Sequence, residues 1–138
     1  MAITQAMCTS FKAELMDEQH DLAADTLKIA LFTSSASLDA STTAYSTSNE
    51  VSGSGYSAGG ETLTSTTVST TGTTAFFDCD DPTWTSASFT ARGALIYNST
   101  NGNKAIVVLN FGGDFTVSSG TFQIVFPAAG ASAIIRID

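Results

Sequence analysis

The chain has 138 residues, which is the size of one domain, and about two thirds of the surface of such a chain can be buried without disulfides or metals. Thirteen acidic residues against five lysines and arginines give a formal net charge of −8, which disfavours nucleic acid as a partner because phosphates would be repelled. The 43% of hydrophobic residues excludes a disordered chain, and the abundance of Thr and Ser beside only 13% charged residues favours an all-β domain.

The chain carries no pattern typical of targeting or of a membrane span. Its first residues lack a basic segment followed by an apolar run, and no stretch approaches the roughly 18 apolar residues of a transmembrane helix. We therefore expect neither a secretory signal nor a membrane partner. The two cysteines, Cys8 and Cys79, fit no metal-ligand spacing, and we interpret both as buried free thiols.

A helix is predicted at the start of the chain, over about residues 3–18. Ile3, Met7, Phe11 and Leu15 recur every four positions and form a narrow apolar stripe. Two interpretations of the stripe remain open. It packs on the domain's own sheet, or it is a docking element for a neighbouring subunit.

From Thr26 the apolar period changes to two, which predicts a strand to about Thr33. Residues 34–60 then consist mainly of Ser, Thr, Ala and Gly, with Tyr45, Val51 and Tyr56 as scattered apolar anchors. A segment of this length in a small domain indicates a functional or oligomer-contacting loop. Its glycine-rich part, residues 53–60, lacks the following Lys and the strand-to-helix context of a phosphate-binding loop, so we interpret it as flexible.

The later strands are predicted from alternating apolar residues between turn residues. They are 62–69, 75–79, 94–98, 104–111, 116–118, 121–126 and 133–137. Asn101-Gly102 predicts a hairpin turn, and the continuous apolar run 106–109 predicts a central strand covered on both faces. About eight strands with one N-terminal helix indicate an all-β fold, a β-sandwich or jelly roll, which forms a single domain over residues 1–138 with the sandwich at about 26–138.

Candidate residues for chemistry are few. The single histidine, His20, lies near several acids, but no second histidine and no nucleophile accompanies it, so we interpret this stretch as a solvated face. Asp78, Asp80 and Asp81 do not follow the ligand pattern of a calcium loop, and Pro82 indicates a turn there. We expect no cofactor, no metal and no enzymatic activity.

One segment resembles small virion structural proteins of tailed bacteriophages. It runs from Trp84 to Asn98 and reads WTSASFTARGALIYN. Further stretches extend the resemblance over most of the chain: Ser10–Lys12, Leu27–Thr33, Val108–Asp114 and Ser119–Ile124. The resemblance implies a structural role in the particle, as a capsid decoration or cement protein that stabilises the head shell. A tail-associated structural or receptor-binding module is the alternative.

The resemblance also implies partners and a location. It implies the phage major capsid protein as a partner. Independently of the resemblance, the apolar residues of the N-terminal stripe and the loop anchors Tyr45, Val51 and Tyr56 exceed what a lone sandwich needs. We therefore expect them to be interface residues through which the protein associates with itself, as a dimer or trimer. It would be made in the bacterial host cytoplasm and reside in the virion. Trp84 and Arg92 bracket the most recognisable segment, and two interpretations stay open for them. Trp84 is a core residue and Arg92 pairs with a nearby Asp, or both form a subunit contact, where these residue types are enriched.

Overall fold

Eight β-strands and one short helix make up the computed structural model, which describes residues 2–137. In chain order the elements are β1 (Ala6–Met7), α1 (Thr9–Met16), β2 (Leu27–Phe32), β3 (Glu61–Thr62), β4 (Thr67–Thr71), β5 (Thr74–Asp78), β6 (Thr83–Asn98), β7 (Lys104–Gln123) and β8 (Ile135–Ile137). The predicted all-β class is confirmed, and the fold is sandwich-like.

The strands form two sheets in which every neighbouring pair is antiparallel. The larger sheet has the order β1-β7-β6-β2-β3, and the smaller one has the order β4-β5-β8. The predicted strand at 62–69 is instead two strands, β3 and β4, which belong to different sheets. The chain therefore changes sheets where the sequence pattern showed one continuous element.

The helix is shorter than the predicted 3–18. Residues Ala6–Met7 pair as a strand with Val107 and Val108, and Ile3 forms a bridge with Leu38. The helix begins only after Cys8, whose backbone is extended. A spacing of four places apolar residues on one face of a strand as well as near one face of a helix, so the stripe did not distinguish the two. The N-terminal segment is extended because other strands and loops supply its hydrogen-bond partners.

The β6–β7 hairpin forms the centre of the larger sheet. Its last register pair joins Asn98 and Lys104, and Gly102 and Asn103 in the connecting turn have positive φ angles of 66° and 58°. The predicted hairpin at Asn101-Gly102 is therefore confirmed, with a longer turn than two residues. Every residue from Ala105 to Leu109 is buried, as the apolar run predicted.

A bulge divides β7 near residue 111, where the strand predicted at 104–111 was expected to end. Ala91 pairs with Phe115 and Gly93 pairs with Asn110, so the four residues 111–114 lie opposite Arg92 alone. Strand pairing then resumes as a two-stranded extension of the sheet, formed by residues 83–91 and 115–123, which we call the ribbon. The glycines at 112 and 113 therefore bend the strand without ending it.

The core lies mainly under β2, β6 and β7. Its largest fully buried aliphatic side chains include Leu27, Ile29, Leu31, Leu95, Ile96, Ile106 and Val108. Gly93 permits the closest approach, because a Cβ atom there would lie 2.5 Å from the carbonyl oxygen of Leu109 and 2.9 Å from Ile3. The N-terminal segment therefore packs directly against the central hairpin.

Replacing Val108 by Asp tests the assignment of the central strand. Val108 is fully buried, so Val108→Asp places an unpaired charge in the core and is expected to cost about 3–5 kcal/mol of unfolding free energy. Val68→Asp on the exposed strand β4 is the matched control and is expected to cost about 0.5 kcal/mol or less. Urea unfolding of both variants measures the difference, and equal stabilities would contradict the assignment.

Candidate functional site

Four of the nine residues predicted as interface candidates lie inside the chain's own core. Ile3, Phe11, Val51 and Trp84 are all buried by other parts of the same chain. A side chain enclosed in this way has no surface to offer a second subunit, so the interface prediction is wrong for these residues. For Ile3 and Phe11, the first of the two interpretations of the stripe, packing within the domain, describes the structure.

The other candidates are partly exposed. Met7, Leu15, Tyr45 and Tyr56 are half-buried and pack against the core, and their role at an interface stays a prediction. Arg92 forms an ion pair with Asp114, with 3.3 Å between Nη1 and Oδ1. Trp84 in the core and Arg92 paired with an aspartate correspond to the first of the two interpretations given for this pair.

A carboxylate holds the long loop between β2 and β3 in place. Glu50 accepts hydrogen bonds from the hydroxyl groups of Tyr45 and Tyr56 and, at 2.8 Å, from the backbone N–H of Gly59. The Tyr56 hydroxyl in turn accepts the N–H of Leu31 on β2 at 2.9 Å. Three distant parts of the loop and one core strand thus meet at a single side chain.

The glycine-rich part of this loop lies flat on the sheet. A Cβ atom on Gly60 would lie 1.8 Å from the carbonyl oxygen of Ile29, and one on Gly53 would lie 2.4 Å from that of Ser88. The Tyr97 hydroxyl donates to the carbonyl oxygen of Gly59 at 2.7 Å. Residues 53–60, which were predicted to be a flexible loop, thus contact the sheet closely at these glycines, where the absence of a side chain permits the approach.

The three tyrosines of this region are held in their neutral form. Burial, followed by the hydrogen bond to Glu50, raises the pKa of Tyr45 and of Tyr56 well above the usual value. Burial and the negative charge of Glu50 raise the pKa of Tyr97 to about 12. Tyr45 and Tyr97 also stack, with ring centroids 4.5 Å apart. We call these three tyrosines and Glu50 the tyrosine clamp.

His20 lies in a second polar network, and the prediction of a solvated face is wrong for it. Its side chain is fully buried, and its ring meets Phe11 edge to face at 5.0 Å. Nε2 lies 3.0 Å from Oε1 of Glu14, and Nδ1 lies 3.0 Å from Nδ2 of Asn98. The amide nitrogen of Asn98 only donates, so Nδ1 accepts and Nε2–H donates to Glu14.

Asn98 connects this network to the β6–β7 turn. Its Nδ2 also donates to Asp25 Oδ2 at 2.7 Å, while its Oδ1 accepts the N–H groups of Thr100 and Asn101. Hydrogen bonds from the backbone of Asp21 and from Asn98 lower the pKa of Asp25. Every donor and acceptor named here has a partner. The network therefore links the segment that follows α1 to the β6–β7 turn.

The remaining sequence candidates are engaged in local structure. Asp80 accepts a hydrogen bond from Ser65, and Asp81 accepts the N–H of Phe126 at 2.9 Å. Within residues 2–137 there is no group of three or more His, Cys, Asp or Glu that could hold a metal ion. Cys8 and Cys79 are free and buried, and burial raises their thiol pKa values to about 11 and about 12.

An apolar surface patch, formed by ribbon residues and by residues just before and after 115–123, was not predicted from the sequence. It borders a groove of about 460 Å³ and consists of Phe111, Phe115, Val117, Phe122, Ile124 and Val125, which we call the ribbon patch. A second concavity, of about 450 Å³, is lined mainly by small hydroxyl-bearing residues of the 36–49 segment. No helix in the described part of the chain is long and apolar enough to cross a membrane.

Comparison with protein-family models, curated proteins and solved structures finds no match. The resemblance to phage virion proteins therefore stays a prediction that depends on the residues quoted for it. Three of the stretches that carry it lie on the central hairpin, because Trp84–Asn98 falls within β6, and Val108–Asp114 falls within β7, as does nearly all of Ser119–Ile124. The part of the chain that carries the resemblance is also the part that organises the larger sheet.

The tyrosine clamp predicts a loss of stability at alkaline pH. Because the folded state raises the tyrosine pKa values, the stabilisation is complete below about pH 10, where free tyrosine begins to ionise, and it is lost as the pH rises toward about 12. Tyrosinate absorbance and circular dichroism, followed together, should show late ionisation that coincides with unfolding. Ionisation of all three tyrosines near pH 10 with the fold intact would contradict the clamp.

Removal of the Asn98 amide tests the His20 network. Asn98→Ala leaves His20, Asp25 and two backbone N–H groups without their partner, so we expect a loss of about 2–4 kcal/mol in unfolding free energy. Asn110→Ala is the matched control, since that exposed side chain makes one local hydrogen bond, to the N–H of Gly112. Urea unfolding is the measurement, and similar losses in both variants would show that the network contributes little.

Proposed function

We propose that this protein is a non-enzymatic structural component of a tailed-phage virion, a decoration protein that binds the outside of the head shell. The proposal begins from the resemblance carried by the central hairpin. It is supported by the structural role that the buried and partly buried polar residues have in this chain. Glu50, His20, Asn98 and Asp25, which would be the natural candidates for chemistry, are engaged in holding loops to strands.

The observation that carries the proposal is the attachment of the long loop 33–60 to the sheet by several hydrogen bonds. Besides the tyrosine clamp, backbone hydrogen bonds fix it at both sides: Val51 donates to Leu31 at 2.9 Å, and Tyr45 donates to Asn103 at 2.9 Å. A subunit that must match a preformed shell benefits from a fixed surface, because no ordering entropy is then lost on binding. The loop has the properties of such a surface.

The exposed chemistry of the chain fits the same role. All five residues of β4, which read TVSTT, are exposed, and hydroxyl groups line the concavity of the 36–49 segment. Such surfaces form hydrogen bonds across an interface without the large desolvation cost of charges. The net charge of −8 favours solubility of the many copies that a shell requires.

The tail-associated alternative would be favoured by exposed aromatic residues in the 34–60 loop. The two tyrosines of that loop are half-buried, and both hydroxyl groups are bonded to Glu50. We therefore propose attachment to the head in preference to the tail.

Binding to shells tests the proposed function. Purified protein is added to head shells, lacking this chain, of the phage that encodes it, and co-sedimentation is expected to saturate at a fixed ratio to the major capsid protein. Glu50→Ala, which releases the loop, is expected to weaken binding about tenfold or more, because the binding surface loses its shape. Glu61→Ala on the exposed strand β3 is the matched control and should bind normally.

Two results would overturn the proposal. One is absence of the protein from purified particles together with no binding to shells. The other is its location on the tail in an electron cryo-microscopy reconstruction, which would establish the alternative. Circular dichroism of Glu50→Ala confirms that the sheets remain folded before its binding is interpreted.

A further inference from the structure

We propose that two copies of this chain associate edge to edge through β4, in an antiparallel pairing that joins their smaller sheets into one continuous sheet. β4 is an outer strand of the smaller sheet and pairs with β5 along one edge. In the described part of the chain, no strand pairs with its other edge. All five residues of β4 are exposed, so the edge is accessible from both faces of the sheet.

The turn of the β4–β5 hairpin determines which backbone groups lie at the open edge. Two residues separate the paired Thr71 and Thr74, and residues that flank a two-residue turn exchange hydrogen bonds with each other. Because the bonding direction alternates along an antiparallel strand, the N–H and C=O groups of Val68 and Thr70 point away from β5. These four groups are spaced to pair with a further β-strand, so the occupant of this edge is a strand.

The edge lacks the features with which monomeric proteins prevent such pairing. Those features are charged residues, prolines and bulges, yet no charged residue and no proline occurs from Thr62 to Phe77, and the register with β5 is unbroken. The other outer strand of the same sheet, β8, has only three residues and carries Arg136. β4 is therefore the unprotected edge of this sheet.

A second copy of the same strand fits the open edge. With a two-fold axis through Ser69, Val68 of one copy lies opposite Thr70 of the other, and each such pair exchanges two hydrogen bonds. All four outward groups of each copy then have a partner. The side chains of Val68 and Thr70 share one face of the strand, so Val68, which is 54% exposed in the single chain, contacts Thr70 of the other copy.

The acidic residues that flank the hairpin favour the antiparallel orientation. Asp78 pairs with Thr67, at the end of β4 that lies away from the turn. In the antiparallel pairing, this end lies beside the uncharged turn of the other copy, at Gly72 and Thr73. A parallel pairing would place the two Asp78 residues at the same end. The two-fold arrangement therefore keeps these acids of two copies apart, although each chain carries a net charge of −8.

The proposal is tested with the purified full chain, independently of shell binding. Sedimentation velocity over a range of concentrations is expected to show a monomer–dimer equilibrium. Thr70→Pro removes an N–H that points away from β5, so it is expected to raise the dissociation constant about tenfold or more while the hairpin stays paired. Thr70→Ala is the matched control, because it keeps the N–H and should leave the constant nearly unchanged.

A second pair of variants tests the edge without a proline. Val68→Lys places a charge on the open edge and should also weaken the dimer. Ile137→Lys is its control, since Ile137 on β8 is equally exposed, at 54%, and should tolerate the charge without a change in the dissociation constant. Circular dichroism verifies that each variant is folded before its association is interpreted.

Disulfide crosslinking tests the register. In the proposed pairing, Ser69 faces itself at a position without backbone hydrogen bonds, where opposite Cα atoms are about 4.5 Å apart and within disulfide range. Oxidised Ser69→Cys should therefore form a covalent dimer. Thr67→Cys lies opposite Thr71 of the other copy, so it should crosslink with a Thr71→Cys chain and not with itself. The natural cysteines are buried and do not compete.

Four results would overturn the proposal. They are a wild-type chain that stays monomeric at all concentrations, equal effects of Thr70→Pro and Thr70→Ala, equal effects of Val68→Lys and Ile137→Lys, and failure of Ser69→Cys to crosslink. A monomeric chain that loses shell binding through Thr70→Pro would instead assign the edge to a strand of the shell, and the proposed function would stand. A dimer that does not bind shells would contradict the proposed function alone.

Discussion

The shape of this protein depends on the hydrogen bonds that the carboxylate of Glu50 accepts. It lies at the meeting point of two tyrosine hydroxyls and a backbone amide, and through Tyr56 it reaches the core strand β2. Hydrogen bonds to a charged acceptor contribute roughly 1.5–3 kcal/mol each, more than those between neutral groups. Without this centre, a long segment of small polar residues would have little apolar surface with which to hold itself against the sheet.

The sequence predicted the fold better than it predicted the surroundings of the polar residues. The alternation in β2 and the apolar run in β7 are local properties, so the strands and the hairpin could be read from them. The partners of Glu50 and His20 are set by tertiary contacts, as between His20 and Asn98, and no local pattern shows such pairs. A polar composition therefore indicated flexible or solvated segments where the structure has buried networks.

The exposed apolar patch near the ribbon could not be located from the sequence for a similar reason. Apolar residues in the N-terminal stripe and in the ribbon look alike as patterns, because both alternate with polar ones. Whether such a face is covered depends on which layer lies above it. The buried residues of the N-terminal segment pack into the core, whereas Phe115, which pairs with Ala91 just beyond the bulge, is 53% exposed.

The pairing of Ala6–Met7 with Val107 and Val108 affects how the chain folds while it is being synthesised. The first strand leaves the ribosome about a hundred residues before its partner, and Phe11 of the helix has no core to enter until the central hairpin exists. Non-local pairing of this kind delays folding. During synthesis, this apolar segment therefore stays unpaired and exposed until the hairpin has been made. Chaperones and neighbouring nascent chains can contact it before its own partner strand does.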